Sequence, residues 1–305
     1  MITMALHQLC RFLSLYYKKK VLIFLDEYDT PMQEAYLNGY WKELVRFMRS
    51  MFNAAFKTNP YLERAVLMGI TRISKESIFS DLNNLKVISA TSKKYETAFG
   101  FTQQEVSHAL EEYGLQNQEQ EVKDWYDGFR FGDCDHLYNP WSVINFLDER
   151  VIKDYWVNTS SNSLTEKLVR EGSADVKQVM EDLMCGQNFC TQIEEEIIYS
   201  QLDDEESALW SLLLASGYLK VRDFYTDQAC GTTTYVLALT NKEVTFMFRK
   251  MIRRWFDPCR KAYHVFLNAL LSGDLQAMNA YMNRIVLASV RSFDSGTKPS
   301  EDTQP

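Results

Sequence analysis

Nowhere does this chain carry the pattern G-x-x-x-x-G-K-[ST], although it contains 12 glycines. Gly128 and Gly132 come nearest, but they stand too close together and lead to no lysine. A cradle of backbone amides and a lysine for phosphate oxygens is therefore not encoded. Metal-ligand spacing is missing too. The 6 cysteines (Cys10, Cys134, Cys185, Cys190, Cys230 and Cys259) include no Cys-x-x-Cys pair. The 4 histidines (His7, His108, His136 and His264) include no His-x-x-x-His. Cys134 and His136 lie close in sequence but lack two further ligands, so zinc is not expected. The thiols read as reduced, as in a cytoplasmic protein. No nucleophile elbow supports a Ser/His/Asp triad.

Uncharged runs of membrane-spanning length are also absent. The opening MITMALHQLCRFLSLYY carries His7 and Arg11, and it reads as an amphipathic helix rather than a signal peptide. A soluble, cytoplasmic chain is the expectation. Nor is there an excess of positive charge: the formal net charge of −8 excludes a general nucleic-acid coat, while leaving room for a local basic face.

What is present is core-forming material. Hydrophobic residues make up 46% and aromatics 13% of 305 residues, enough for two domains or for one with a helical appendage. Val21–Leu25 is a continuous apolar run, the pattern of a strand buried on both faces of a parallel sheet. Trp41, Leu44, Val45, Met48, Met51, Phe52, Ala55 and Phe56 repeat at helical spacing and form one apolar stripe. Ala65–Met68 reads as a second strand and Leu85–Ile88 as a third, together part of a doubly wound α/β sheet.

Helices take over in the middle of the chain. Thr102–Glu105 and Ser163–Glu166 read as capping boxes, and Asn139-Pro140 as a cap followed by an N1 proline. Phe129–Tyr138 has the turn chemistry of a short hairpin. Further on, a helix over Ser207–Leu214 precedes two strands around a polar turn. A third capping box, Thr240–Glu243, then opens a long helix. Helix, hairpin and helix in that order suit a winged-helix-like module. The long helix puts Val244, Phe248, Met251, Ile252 and Trp255 on one face and Arg249, Lys250, Arg253 and Arg254 on the other. That basic stripe reads first as a solvated face, and alternatively as a contact for nucleic acid or a protein partner.

The segment with most chemistry is Val21-Leu-Ile-Phe-Leu-Asp26-Glu27, an apolar strand delivering two carboxylates at its carboxyl end. Open α/β sheets place ligands there. Such a pair suits a magnesium site, with Asp26 holding the ion through water and Glu27 orienting or deprotonating an attacking water. Thr71-Arg72 follows the second strand, where a guanidinium would sense a terminal phosphate. The plainer readings are a strand ending in a polar turn and a surface arginine. Asp127 and Arg130 are candidates for a lid or interdomain contact; the plainer reading is a hairpin shaped by Gly128 and Gly132. Glu121-Val-Lys123 and Asp175-Val-Lys177 have the letters of a nuclease motif but fall in helical patterns.

LIFLDEYDTPMQEAYLNGYW, AVLMGITRISKESIFSDLNNLKV, FGFTQQEV, WYDGFRFG, LYNPWSVINFL and YWVNTSSNS occur in unbroken order over residues 20–165. Together they resemble the bacterial AAA-ATPase-like proteins that often carry a C-terminal PD-(D/E)XK nuclease-like domain. The resemblance implies a P-loop NTPase-type sheet, Mg and ATP as cofactors, Asp26 and Glu27 as Walker B acids, and a sensor-like segment over residues 70–77. Family members begin with a glycine-rich Walker A loop, for which the twenty residues before Val21 leave no room.

The expected layout follows. Residues 1–100 form the rear part of the α/β core, 101–200 a helical region with a hairpin, and 201–257 the winged-helix-like module. Residues 258–294 form helices leading toward a missing nuclease-like domain, and 295–305 a disordered tail. The expected function is an incomplete ATPase-like or regulatory module that does not hydrolyse ATP by itself. The alternative is a non-enzymatic module binding protein or DNA.

Overall fold

The computed structural model describes residues 2–70, 82, 85–158, 162–193, 202, 205–260 and 263–289. Helix α1 (Ala5–Tyr17) ends at Lys18, whose left-handed backbone (φ 57°) turns the chain into strand β1 (Val21–Leu25). Helices α2 (Thr30–Asn38) and α3 (Trp41–Phe56) follow, joined at Gly39 in the left-handed region (φ 78°), and β2 (Leu62–Leu67) returns beside β1. The two strands are parallel, with Ile23 opposite Ala65 and Leu25 opposite Leu67. The α3 stripe is buried as its spacing predicts, through Met48, Phe52, Ala55 and Phe56.

The remaining elements are β3 (Phe101–Thr102), α4 (Gln103–Glu112), α5 (Glu119–Tyr126), β4 (Asp127–Phe131), β5 (Cys134–Tyr138), α6 (Pro140–Glu149), α7 (Ser163–Glu171), α8 (Ala174–Met184), β6 (Phe189–Gln192), α9 (Glu206–Ala215), β7 (Leu219–Thr226), β8 (Thr233–Leu239), α10 (Lys242–Arg260), α11 (Tyr263–Ser272) and α12 (Leu275–Ser289). They complete a mixed α/β chain whose described residues form three small sheets, ordered β1-β2, β3-β5-β4 and β6-β8-β7. No helix among the described residues is long and apolar enough to cross a membrane.

The chain divides into two compact units. The first comprises residues 1–103, 128–137 and 190–238. In it the turn between β4 and β5 is tied to an earlier segment. The Gly132 amide donates to the Ala90 carbonyl (2.8 Å), the Asp133 amide donates to Glu96 (2.9 Å), and Lys93 pairs with Asp133. Gly132 has φ 55°, and a Cβ there would stand 2.7 Å from the Lys93 Cα, so only glycine fits.

Two sequence expectations fail in this unit. Leu85–Ile88 is irregular chain rather than a third strand, with Leu85, Val87 and Ile88 each more than a third exposed. An apolar run becomes a strand only where a neighbour accepts its ladder, and no described strand pairs with it. Strand β1 is covered on one face only: Leu22 is 54% and Phe24 68% exposed. Continuous hydrophobicity over five residues reports the absence of polar side chains, not the presence of a second layer.

The second unit comprises residues 104–127, 138–189 and 239–305. Its core gathers Tyr126, Tyr138, Phe146 and Phe248 with almost no exposure. The Tyr126 phenol donates to the Lys153 carbonyl (2.9 Å) and accepts from the Lys153 amide (3.2 Å). Burial pushes that phenol far above its ordinary pKa. Trp125 stacks on Phe246 at 5.0 Å, and Lys242 pairs with Asp124 at 2.7 Å, fastening α5 to α10. Asn139 caps α6 as expected, its side chain accepting from the Ser142 amide at 3.2 Å.

Two other expected caps are used differently. Helix α7 starts at Ser163 itself, and Glu166 reaches away to accept from the Trp255 indole at 2.9 Å. Helix α10 is capped by Asn241, which accepts from the Val244 amide (3.1 Å), while Glu243 turns elsewhere. Fully buried, Glu243 accepts from the Ser142 hydroxyl (2.8 Å) and from the Tyr155 and Trp156 amides (2.6 Å each). One carboxylate thus joins α6, the turn after it and α10.

Desolvation pushes the Glu243 carboxyl above its ordinary pKa, although the hydroxyl and amide donors pull it back. The native state therefore holds that proton more tightly than the unfolded chain does. Its contribution is fully present in acid and is lost as pH rises through the raised native value. Glu243→Gln replaces one acceptor oxygen by a donor facing donors, and it is expected to cost about 2 kcal/mol. Urea unfolding of both proteins across a pH series checks this; the gap between them should widen toward acid.

Candidate functional site

The carboxyl end of β1 is built by contacts with the exit from β2 and within its own turn. The Met68 amide donates to the Leu25 carbonyl (2.9 Å) and the Tyr28 amide donates to the Met68 carbonyl (3.1 Å), carrying the β1–β2 pairing past the strand tip. Glu27 sits at φ 49°, a left-handed position uncommon outside glycine. The Asp26 carboxylate accepts from the Glu27 amide (3.0 Å), and the Thr30 hydroxyl donates to Glu27 (3.2 Å). Both acids are exposed. Asp26 and Glu27 therefore stand exposed just past the end of β1. Thr71 and Arg72 lie outside the described residues.

Sequence reasoning passed over a third acid. Asp29 is buried, at 1% exposure, and its Oδ2 accepts from the Ile70 amide at 3.0 Å. Its carbonyl accepts from the Met32 and Gln33 amides (2.9 and 3.0 Å), so Asp29 also begins α2. Gly69 makes room for this carboxylate, since a Cβ on Gly69 would lie 2.5 Å from Asp29 Oδ1 and 2.8 Å from Tyr28 Cε1. The available signals were the Asp29-Thr30-Pro31 helix start and the glycine right after the second strand. Neither reveals that the two meet.

Asp26 and Glu27 offer hard oxygens that suit hydrated magnesium. The phosphate half of a nucleotide does not fit the described residues in the same way. Pro31 has no N–H, the Thr30 amide donates to the Glu27 carbonyl (3.1 Å), and the next two amides of α2 are committed to Asp29. The first turn of α2 is thus closed to an anion. No group of three or more metal-ligating side chains forms among the described residues. On α4, His108 Nε2 lies 3.4 Å from Glu112.

The other candidates resolve locally. Arg130 pairs with Asp135 across its own hairpin (3.2 Å). Glu121 and Lys123 lie in α5, and Asp175 and Lys177 in α8. On α10, Arg249 donates to the Met184 carbonyl (3.2 Å), Lys250 pairs with Asp154 (2.5 Å) and Arg254 approaches Glu166 (4.0 Å). Three of the four basic side chains of that face thus already meet acceptors within their own unit.

Residues 2–79 match the model of a family described as a predicted AAA-ATPase. That span holds Asp26, Glu27, Asp29 and Gly69. A protein of Azotobacter chroococcum mcd 1, described as an uncharacterized protein in vnfD 5'region, is 26% identical over 207 residues. The match covers 67% of this chain, and the chain spans only 37% of that relative's length. No solved structure gives a significant match.

Removing the space for the Asp29 carboxylate tests its role. Gly69→Ala should cost about 1–3 kcal/mol through overpacking. Asp29→Ala should cost about as much by orphaning the Ile70 amide. Both are read from shifts in the urea midpoint, against a Glu27→Ala control that stays near wild type.

Proposed function

We propose that this chain is an AAA-ATPase-like module whose nucleotide site is half built. Asp26 and Glu27 are the Walker B acids, Asp26 holding magnesium through water and Glu27 placed to orient an attacking water. Thr71 and Arg72 are the sensor-like pair. The phosphate cradle is not supplied by this chain, so the module does not turn over ATP unaided. The observation that carries the reading is the pair of exposed carboxylates at the tip of a parallel strand, inside the span matched by the predicted-AAA-ATPase family.

The physical reason is electrostatic. Two carboxylates beside a triphosphate repel it unless a metal and several donors intervene, and acids by themselves give affinity for the cation alone. Opposing amides and a lysine supply the rest of the affinity. The function that remains for the chain by itself is that of a regulatory or structural part within a larger ATPase-like assembly.

Titration with fluorescent ATP in magnesium is expected to show binding no tighter than about millimolar, where a single cation-mediated contact belongs. Phosphate release should equal the protein-free rate and be unchanged by Glu27→Gln. Sub-micromolar binding, or turnover lost in Glu27→Gln, would contradict the proposal.

A further inference from the structure

Among the described residues, strand β1 has an edge that meets no other strand and a face on which Leu22 and Phe24 are exposed. The Val21 amide donates to the Tyr61 carbonyl (2.8 Å) and the Leu25 carbonyl accepts from Met68 (2.9 Å), so Val21 and Leu25 direct their backbone groups toward β2. Alternation then directs the N–H and C=O groups of Leu22 and Phe24 toward the opposite edge. Among the described residues no strand pairs there. An apolar strand with an open edge is a template for another strand.

The residues bordering that edge are sorted by charge. Lys18, Lys19 and Lys20 precede the strand and Asp26 and Glu27 follow it, all exposed. Their sequence, Lys19-Lys-Val-Leu-Ile-Phe-Leu-Asp-Glu27, is complementary to its own reverse. Laid antiparallel on a second copy with Ile23 on the two-fold axis, Leu22 faces Phe24 and Lys20 faces Asp26. This register also sets outward-facing residues opposite one another, as an antiparallel ladder requires. A slip of two residues places Lys20 against Phe24, or Leu22 against Asp26, and a slip of one turns backbone groups away from each other.

We propose that this chain pairs with a second copy of itself through β1, in an antiparallel, two-fold seam that joins the two sheets edge to edge. Each copy offers the same patch, so the contact is isologous and closes at the dimer. Leu22 and Phe24, the most exposed apolar side chains of the strand, become cross-strand neighbours at the seam. The opposed charges at its two ends fix direction and register.

Sedimentation velocity over a dilution series, on the whole chain, tests the seam. Wild type is expected to show a reversible monomer–dimer equilibrium. Lys20→Glu and Asp26→Lys each place like charges opposite one another twice per dimer, and each should weaken dimerisation about tenfold or more. The double variant Lys20→Glu/Asp26→Lys restores both pairs, and so does an equimolar mixture of the two single variants; both should recover the dimer. Circular dichroism confirms that each variant is folded. A wild type that stays monomeric, a dimer indifferent to Lys20→Glu, or single variants that fail to rescue one another would each overturn the proposal.

Discussion

The hydrogen bond from the Ile70 amide to the buried Asp29 carboxylate ties the candidate site to the exit from β2. A carboxylate taken out of water is tolerable only where donors meet it, and here one donor comes from the chain just past β2. Because Asp29 also starts α2, one residue fixes the end of β1, the path into the helix and the exit from β2. Gly69 is the steric counterpart of that bond. The exposure of Asp26 and Glu27 follows from it, since the turn that takes Asp29 inward leaves the two acids before it at the surface.

The second unit uses the same device with more donors. Glu243 sits at the start of α10, where a negative charge is favoured, yet its oxygens leave their own helix for Ser142 and the Tyr155–Trp156 amides. A polar node of this kind orients apolar surfaces that would otherwise pack in several ways. Trp125 and Trp255 fasten α10 through Phe246 and Glu166, and on its basic face Arg249, Lys250 and Arg254 meet acceptors within their own unit. A helix that looks amphipathic and basic in sequence thus has three of its four basic side chains at acceptors of its own unit.

Strand β1 links the two proposals and shows where they part. Its tip carries Asp26 and Glu27, the acids of the proposed nucleotide site, while among the described residues no strand meets its outer edge and Leu22 and Phe24 stay exposed. The opposed charges flanking it serve the self-pairing, whereas the chemistry of the tip needs only Asp26 and Glu27. An open parallel pair is an unusual resting state for a sheet, because parallel strands are normally covered on both faces.

Much of the local structure was legible in the residues. The extent of β1, the apolar stripe of α3, the Asn139 cap with Pro140, and the hairpin closed by Gly132 all follow from periodicity and turn chemistry acting within a few positions. The juxtaposition of Asp26 and Glu27 was legible for the same reason. Hidden from that view were the failure of Leu85–Ile88 to become a strand, the one-sided cover of β1, and the destinations of Asp29 and Glu243. Each depends on a partner distant in sequence: 41 residues separate Asp29 from Ile70, and 101 separate Ser142 from Glu243. Local pattern decides which conformations a segment favours; only the folded chain decides which donor reaches a buried acid and which strand edge finds a neighbour.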